Sequence, residues 1–358
     1  MLNFGAKSLI GLDIGSGYLK VAQLKDVKGK YMLELFDMLA LQPSVISDEA
    51  IVEQEKLVEA IKELMKKSQI KIKDVAISLS GHSSVIIKKI NLELNKSELD
   101  NMSEDDIIKS IRSSAEQYIP FGIEDVNIDY QILKPRNETG EVEALLVAVR
   151  KEMIDEYVNI VKESGLNPVI VDVDAFTLEN MYEINYEIEE DSNIALIDIG
   201  ANSTKLNLLK DGVSAFTRDS ARGSKLQTDA LMNTFQIPFE TAEKLKRSEA
   251  VEGISPEQVE TVIFDASEDI VNEINRSLEF FNEASGIDNL DELVIAGGGA
   301  LVKGFPELLA DRTGLNVSVV NPFKKIAISK KLDERFIKSV AAMAGVAVGL
   351  AIRRIGDR

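Results

Sequence analysis

The apolar positions of this chain alternate between short strand-like runs and longer runs at helical spacing. Runs rich in Ile, Leu and Val near 8–14, 18–25 and 31–39 read as strands. Ile51, Leu57, Val58, Ile61, Leu64 and Met65 recur on one helical face and predict a helix over about 48–67, followed by a strand near 74–79. The pattern then changes to strand 84–92, helix 103–117, strands 126–133 and 142–149, and helix 151–163. Pro120 closes the first of these helices, and the polar run 135–140 reads as a hairpin loop. A strand at 168–173 and a helix at 174–185 lead into an acidic, solvated linker at 187–192. Strands at 193–198, 203–210 and 213–219 come next, then helices at about 223–235, 239–248 and 256–285. A final strand, Leu293–Ala296, runs into three glycines and a helix beginning around 301–306. Strands interleaved with helices in this way predict an α/β fold.

The pattern contains an internal repeat. Residues 9–24 read LIGLDIGSGYLKVAQL and residues 194–209 read IALIDIGANSTKLNLL. Aligned on Asp-Ile-Gly, they share Asp13/Asp198, Ile14/Ile199, Gly15/Gly200, Lys20/Lys205 and Leu24/Leu209. Each is an apolar strand, an Asp-x-Gly turn and a second apolar strand. The copies lie too far apart for a solenoid, so two related lobes are expected. The division expected is a first lobe core at 1–83, an inserted α+β subdomain at 84–166 and a return to the first lobe with linker at 167–190. A second lobe core at 191–222, a helical subdomain at 223–290, and second lobe core with C-terminal helix at 291–358 complete it.

The turns carry the candidate chemistry. Asp13-Ile-Gly-Ser-Gly17 joins two strands, where a tight turn aims backbone N–H groups at an anion. Gly15 and Gly17 permit close approach, and Ser16 adds a hydroxyl donor. Asp13 cannot bind phosphate itself; beside phosphates, a carboxylate is best explained as a holder of Mg²⁺ through its water shell. Lys20 either neutralises phosphate charge or faces solvent from its strand. Alone, this turn is an ordinary glycine hairpin. The second turn supplies Asp198, Gly200, Asn202 and the hydroxyls of Ser203 and Thr204, so two facing hairpins would clamp a polyphosphate between paired carboxylates. Gly297, Gly298 and Gly299 form a third element at a strand end, open to a flat ring or ribose. Neither a Walker A sequence nor a dinucleotide fingerprint is present.

Composition narrows the choice. The 358 residues suit about two domains, and 45% hydrophobic with 28% charged residues is an ordinary globular composition. Against 60 acidic residues stand 41 Lys and Arg, a net charge of −19. No basic surplus exists to displace phosphate counterions, so nucleic acid is not an expected partner. The same charge weighs against adsorption to an anionic membrane and favours recruitment through a protein. Cysteine is absent and His82 is the only histidine, which excludes disulfides, thiol chemistry, multi-His metal sites and most His-based acid–base schemes. His82 reads as a loop or strand-edge residue, and Phe280 and Phe281 read as core. The N-terminal residues lack a signal-peptide pattern, and the apolar run from Val340 to Ile352 is shorter than the ~20 residues of a spanning helix. That run reads as a packed core helix, with Gly345 and Gly349 allowing close contact, and a cytoplasmic protein is expected.

Two phosphate-type turns and a glycine turn, in this order, resemble the actin-like ATPase superfamily. The position of the inserted subdomain resembles its FtsA-type branch. The strings at 8–24, 115–133, 143–176 and 341–353 resemble the PilM family, cytoplasmic actin-like proteins of type IV pilus assembly. The resemblance implies an actin-like fold with ATP or ADP and Mg²⁺ in the cleft, with Asp13 and Asp198 toward the metal. It implies Asp13, Gly15, Ser16, Gly17 and Lys20 as the first phosphate loop and Asp198, Gly200, Asn202, Ser203 and Thr204 as the second. Gly297, Gly298 and Gly299 become the adenosine motif, and Glu243 and Lys246 in the helix at 241–246 contact ribose and adenine. On sequence alone that helix reads as a solvated, charged face. The resemblance further implies a scaffold at the inner membrane that binds the N-terminal cytosolic tail of PilN. Contact with other assembly proteins, including the motor ATPases, and self-association through the inserted subdomain follow from it too. Hydrolysis would be slow or regulatory, and no residue is assigned to orient water. The alternatives are an FtsA-like division protein and a small-molecule kinase of the same superfamily. Ala201 stands where many actin relatives carry Gly, and 91–106 is longer and more polar than is usual in the family.

Overall fold

In the computed structural model, which describes residues 9–47, 50–81, 83–95, 101–133, 141–285 and 290–357, each Asp-Ile-Gly turn joins the first two strands of a sheet. The chain begins with an antiparallel meander of β1 (Ile10–Ile14), β2 (Tyr18–Val27) and β3 (Lys30–Ala40). A small hairpin follows, β4 (Ile46–Ser47) and β5 (Ala50–Ile51), then α1 (Gln54–Lys67). The helix expected from about 48 starts later because Ile51 pairs with Ile46 in that hairpin. α1 buries Leu57, Val58, Ile61, Leu64 and Met65 against Ile10, Leu12, Val21 and Ile77. A fully buried side chain of this size contributes about 1.5–3 kcal/mol.

β6 (Asp74–Leu79) pairs parallel to β1, and the chain then leaves for a separate three-stranded sheet. That sheet comprises β7 (Val85–Asn95), β8 (Val126–Ile132) and β9 (Glu141–Arg150) in the order β7-β9-β8. It packs with α2 (Glu104–Ala115), which starts at the cap Ser103 and buries Ile111 and Ala115 with Ile90 and Leu146. The helix α3 (Lys151–Glu163), expected with the insertion, instead packs Tyr157, Ile160 and Val161 into the core of the first sheet beside α1. Its apolar stripe has that face as its partner. β10 (Asn167–Val173) then joins β6, and α4 (Asp174–Asn185) follows directly.

The second half repeats the plan. β11 (Asn193–Ile199), β12 (Thr204–Lys210) and β13 (Val213–Ser220) form the meander. Three helices follow: α5 (Lys225–Phe235), α6 (Phe239–Lys246) and α7 (Pro256–Ser285). β14 (Glu292–Ala296) pairs parallel to β11, α8 (Phe305–Thr313) follows a short 3-10 turn at Gly299–Leu301, and β15 (Val317–Val319) pairs with β14. The sheets read β3-β2-β1-β6-β10 and β13-β12-β11-β14-β15, with matching strand directions. The repeat in sequence is a repeat in topology.

The last elements cross between lobes. β16 (Ala327–Ile328) extends the first sheet beside β3, and α9 (Glu334–Ser339) is capped by Asp333. α10 (Gly345–Ile352), expected in the second lobe, wedges between β1 and α4. It is apolar on every side, as a fully enclosed helix must be. At Gly349 a Cβ would stand 1.8 Å from the Thr177 carbonyl oxygen, so only glycine allows this approach. Phe281 is core, whereas Phe280 is about half exposed and lies beside Phe216 and Arg218, a surface position that helical spacing alone did not separate from core. His82, the loop at 135–140 and residues 96–100 of the polar edge lie outside the described residues.

Candidate functional site

Both Asp-x-Gly turns project from their sheets into one cleft, a cavity of about 690 Å³. In each hairpin the aspartate faces a lysine across the strands: Asp13 is paired in register with Lys20, and Asp198 with Lys205. Asp13, Gly15, Ser16, Gly17 and Lys20 line the cavity from the first lobe, and Asp198, Gly200, Asn202 and Ser203 from the second. The turns touch. The Asn202 backbone N–H donates to Ser16 Oγ at 3.3 Å, and Asn202 Nδ2 donates to the Ile46 carbonyl at 3.0 Å. The second turn is itself braced, since the backbone N–H groups of Ser224 and Lys225 at the start of α5 donate to the carbonyls of Gly200 and Ala201 at 2.9 and 2.8 Å.

Gly297 and Gly298 close the third side. Gly297 has φ +84°, and a Cβ there would stand 2.4 Å from the Ile199 carbonyl and 2.5 Å from Asp198 Oδ1. The end of β14 thus lies directly on the second turn. Two of the expected ligands, Thr204 and Gly299, do not line the cavity. Thr204 turns away from the cavity and donates its hydroxyl to the Arg222 carbonyl at 2.7 Å, because its place in β12 directs it into the sheet. Gly299 is buried against Ile199 and does not reach the cavity.

Glu243 and Lys246 are not a solvated face. Their side chains are 16% and 11% exposed, they pair at 2.6 Å, and both bond Thr228 Oγ1 of α5, at 2.5 and 2.7 Å. Both line the cavity. Burial pushes the Lys246 ammonium pKa down, with Glu243 opposing it. This supplies a fixed polar corner above the turns.

The turns differ electrostatically. Lys20 meets Asp13 at 2.7 Å with its side chain 13% exposed, so it faces the cleft and not solvent. Burial raises the Asp13 pKa, with Lys20 opposing and Asp174 adding to the rise. Lys205 instead pairs with Asp174, the first residue of α4, and stays 3.8 Å from Asp198. Asp174 also accepts from Ser78 Oγ at 2.5 Å. Burial opposes ionisation of Asp174, yet Lys205 and these hydrogen bonds hold its pKa below the ordinary carboxylate value. Burial likewise opposes the charge on Lys205, and Asp174 and Asp198 outweigh it and push its pKa up. Sequence reasoning missed Lys205, although the repeat had set it opposite Lys20. Asp174 and Ser78 carried no signal, since they reach this place only through packing.

Two sheets of one strand plan, with paired Asp-bearing turns and a glycine turn around a common cleft, define an actin-like ATPase fold. Solved structures of that fold match along nearly the whole chain. They include MreB5 of Spiroplasma citri bound to ADP (15% identity, TM-score 0.53, covering 96% of this chain and 95% of that one). They also include the ethanolamine utilization protein EutJ from Carboxydothermus hydrogenoformans (15% identity, TM-score 0.59, 98% and 90%). The sequence profile of the family described as type IV pilus assembly protein PilM matches residues 11–355, and the chain belongs to that family. Its structure is similar to that of a PilM-PilN type IV pilus biogenesis complex, with 27% identity, TM-score 0.83, and coverage of 99% of this chain and 100% of that one. It is also 23% identical over 353 residues to the cell division protein FtsA of Enterococcus hirae, spanning 87% of this chain and 78% of that protein. Among the described residues no helix is long and apolar enough to cross a membrane.

Proposed function

We propose that this chain is a nucleotide-binding scaffold of the pilus assembly platform, taking ATP or ADP with Mg²⁺ in the cleft and docking the N-terminal cytosolic tail of a PilN-type partner. The observation that carries the nucleotide reading is the contact between the two turns, Asn202 N–H to Ser16 Oγ, which puts both carboxylate-bearing hairpins on one cavity. The donor set suits a polyphosphate: backbone amides of tight turns, the hydroxyls of Ser16 and Ser203, and the ammonium groups of Lys20 and Lys205. Among the described residues no cluster of three or more His, Cys, Asp or Glu could hold a metal by itself. A cation here would rest on Asp13, Asp198, water and phosphate oxygens, as hard cations accept. When bound, Mg²⁺ would supply neutralisation of phosphate charge. Gly297, Gly298, Glu243, Lys246 and Thr228 would hold the nucleoside.

The partner reading rests on family membership and on similarity to a PilM-PilN complex. It makes this a peripheral, cytoplasmic component held at the inner membrane by a protein contact. Calorimetry with Mg·ATP and Mg·ADP, together with pull-down by a synthetic PilN N-terminal peptide, tests both halves. Failure of both nucleotides to bind removes the cleft assignment, and failure of the peptide removes the scaffold role.

A further inference from the structure

Lys205 has a carboxylate on each side that leads out of the cleft. Asp174 binds Lys205 and grips Ser78 Oγ at 2.5 Å, within β6 of the first lobe. On the other side, Asp219 of β13 stands opposite Lys205 in strand register, and its Oδ2 accepts the Gly81 backbone N–H at 2.9 Å. Gly81 ends the chain's course in the first lobe: its carbonyl accepts from the N–H groups of Ser84 and Val85 at 3.1 and 2.9 Å, and β7 departs from there. β9 returns at the same place, where the Arg150 N–H donates to the Ser84 carbonyl at 3.1 Å. A single second-lobe lysine is thus ion-paired with Asp174 and set opposite Asp219 in strand register, and both acids hold the segment from which the inserted three-stranded sheet hangs. That sheet also runs beside β13.

We propose that Lys205, Asp174 and Asp219 form a coupling relay that sets the position of the inserted subdomain according to whether the cleft holds nucleotide phosphates. The proposal rests on the cleft reading above. Lys205 lines the cavity, so phosphate oxygens at the second turn compete with Asp174 for its ammonium and draw it from the field of Asp219. Drawing it toward phosphate weakens its hold on Asp174 and its attraction for Asp219, and frees Ser78 and Gly81 to shift. Coupling of this kind requires that the two positions of the subdomain bind phosphate differently. Burial keeps the exchange costly, and Asp174 and Asp219 act only through Lys205 and are positioning residues.

The chain has no cysteine, so Glu116→Cys beyond α2 and Asp265→Cys on α7, both exposed, give a unique pair for spin labels. Pulsed spin-resonance distances are measured with and without saturating Mg·ADP. The expected result is a shifted distance distribution on nucleotide addition. Asp219→Ala abolishes the shift while Mg·ADP affinity by calorimetry stays within about 3-fold, because Asp219 does not line the cavity. Ser78→Ala cuts the other arm and shrinks the shift if Asp219→Ala fails to fold. Mg·ADP binding without a shift, or a full shift in Asp219→Ala, overturns the relay. Absence of Mg·ADP binding in the parent overturns the cleft reading itself, and calorimetry separates the two failures.

Discussion

Lys205 stands across its hairpin from Asp198 yet makes its ion pair with Asp174, while Lys20 in the matching position pairs with its own Asp13 at 2.7 Å. One sequence pattern has produced two electrostatic arrangements. α4 starts beside the second lobe's hairpin and brings an acid within reach of Lys205. Lys20 is left with the aspartate of its own turn.

Removing the turn carboxylates tests the cleft directly. Asp13→Ala and Asp198→Ala are each expected to abolish Mg·ATP binding while the far-ultraviolet circular dichroism stays native. Unchanged nucleotide affinity in both variants would falsify the assignment.

The two lysines should differ in stability. Lys205→Met removes the charge that holds the buried Asp174 carboxyl below its ordinary pKa and leaves that carboxyl without its partner, and breaking such a buried pair costs about 3–5 kcal/mol. Lys20→Met leaves Asp13, where burial already outweighs Lys20 and raises the carboxyl pKa, so less stabilisation is lost with the lysine. Urea denaturation at neutral pH should therefore show the larger loss for Lys205→Met. Equal losses would contradict the asymmetry.

The polar corner should serve the nucleoside and not the phosphates. Lys246→Ala is expected to weaken ATP binding roughly tenfold, the scale of one lost charged hydrogen bond at ~1.5 kcal/mol. Pyrophosphate binding should stay unchanged, and a matching loss for pyrophosphate would move Lys246 to the phosphate end.

Stability should fall with pH on account of Glu179. Burial between α4 and the second sheet raises its pKa from 4.5 to about 8, with Asn207 donating to it at 3.1 Å. The folded protein keeps this proton up to about pH 8, while the unfolded chain releases it near 4.5. In that window the unfolded state binds fewer protons, so stability declines as pH rises. Glu179→Gln removes the decline, and the gain over the parent in urea midpoint should widen with pH across the window. A constant difference would show that Glu179 ionises normally in the fold.

Gly349→Ala should force α10 off α4, because the new Cβ would meet the Thr177 carbonyl. Overpacking of this kind costs about 1–3 kcal/mol, measurable as a lower thermal midpoint. An unchanged midpoint would mean that the helices separate freely there.

Much of this was legible from the chain. The Asp-Ile-Gly repeat announced two related lobes, because a strand–turn–strand unit that aims amides at an anion needs glycine and small polar residues at fixed spacing. The alternation of apolar runs placed most strands and helices for the same reason, since one buried face imposes its period on the sequence. The partners of charged groups were not legible. Glu243 and Lys246 looked solvated until α5 supplied Thr228, and Thr204 looked like a ligand until its strand turned it to Arg222. The crossing of α3 and α10 to the first lobe was equally hidden, because an apolar stripe says that a helix is buried but not against what. The sequence by itself determined the turns, their donors and the paired carboxylates. Only the tertiary structure decided which acid each lysine serves, because that depends on distances between segments far apart in the chain.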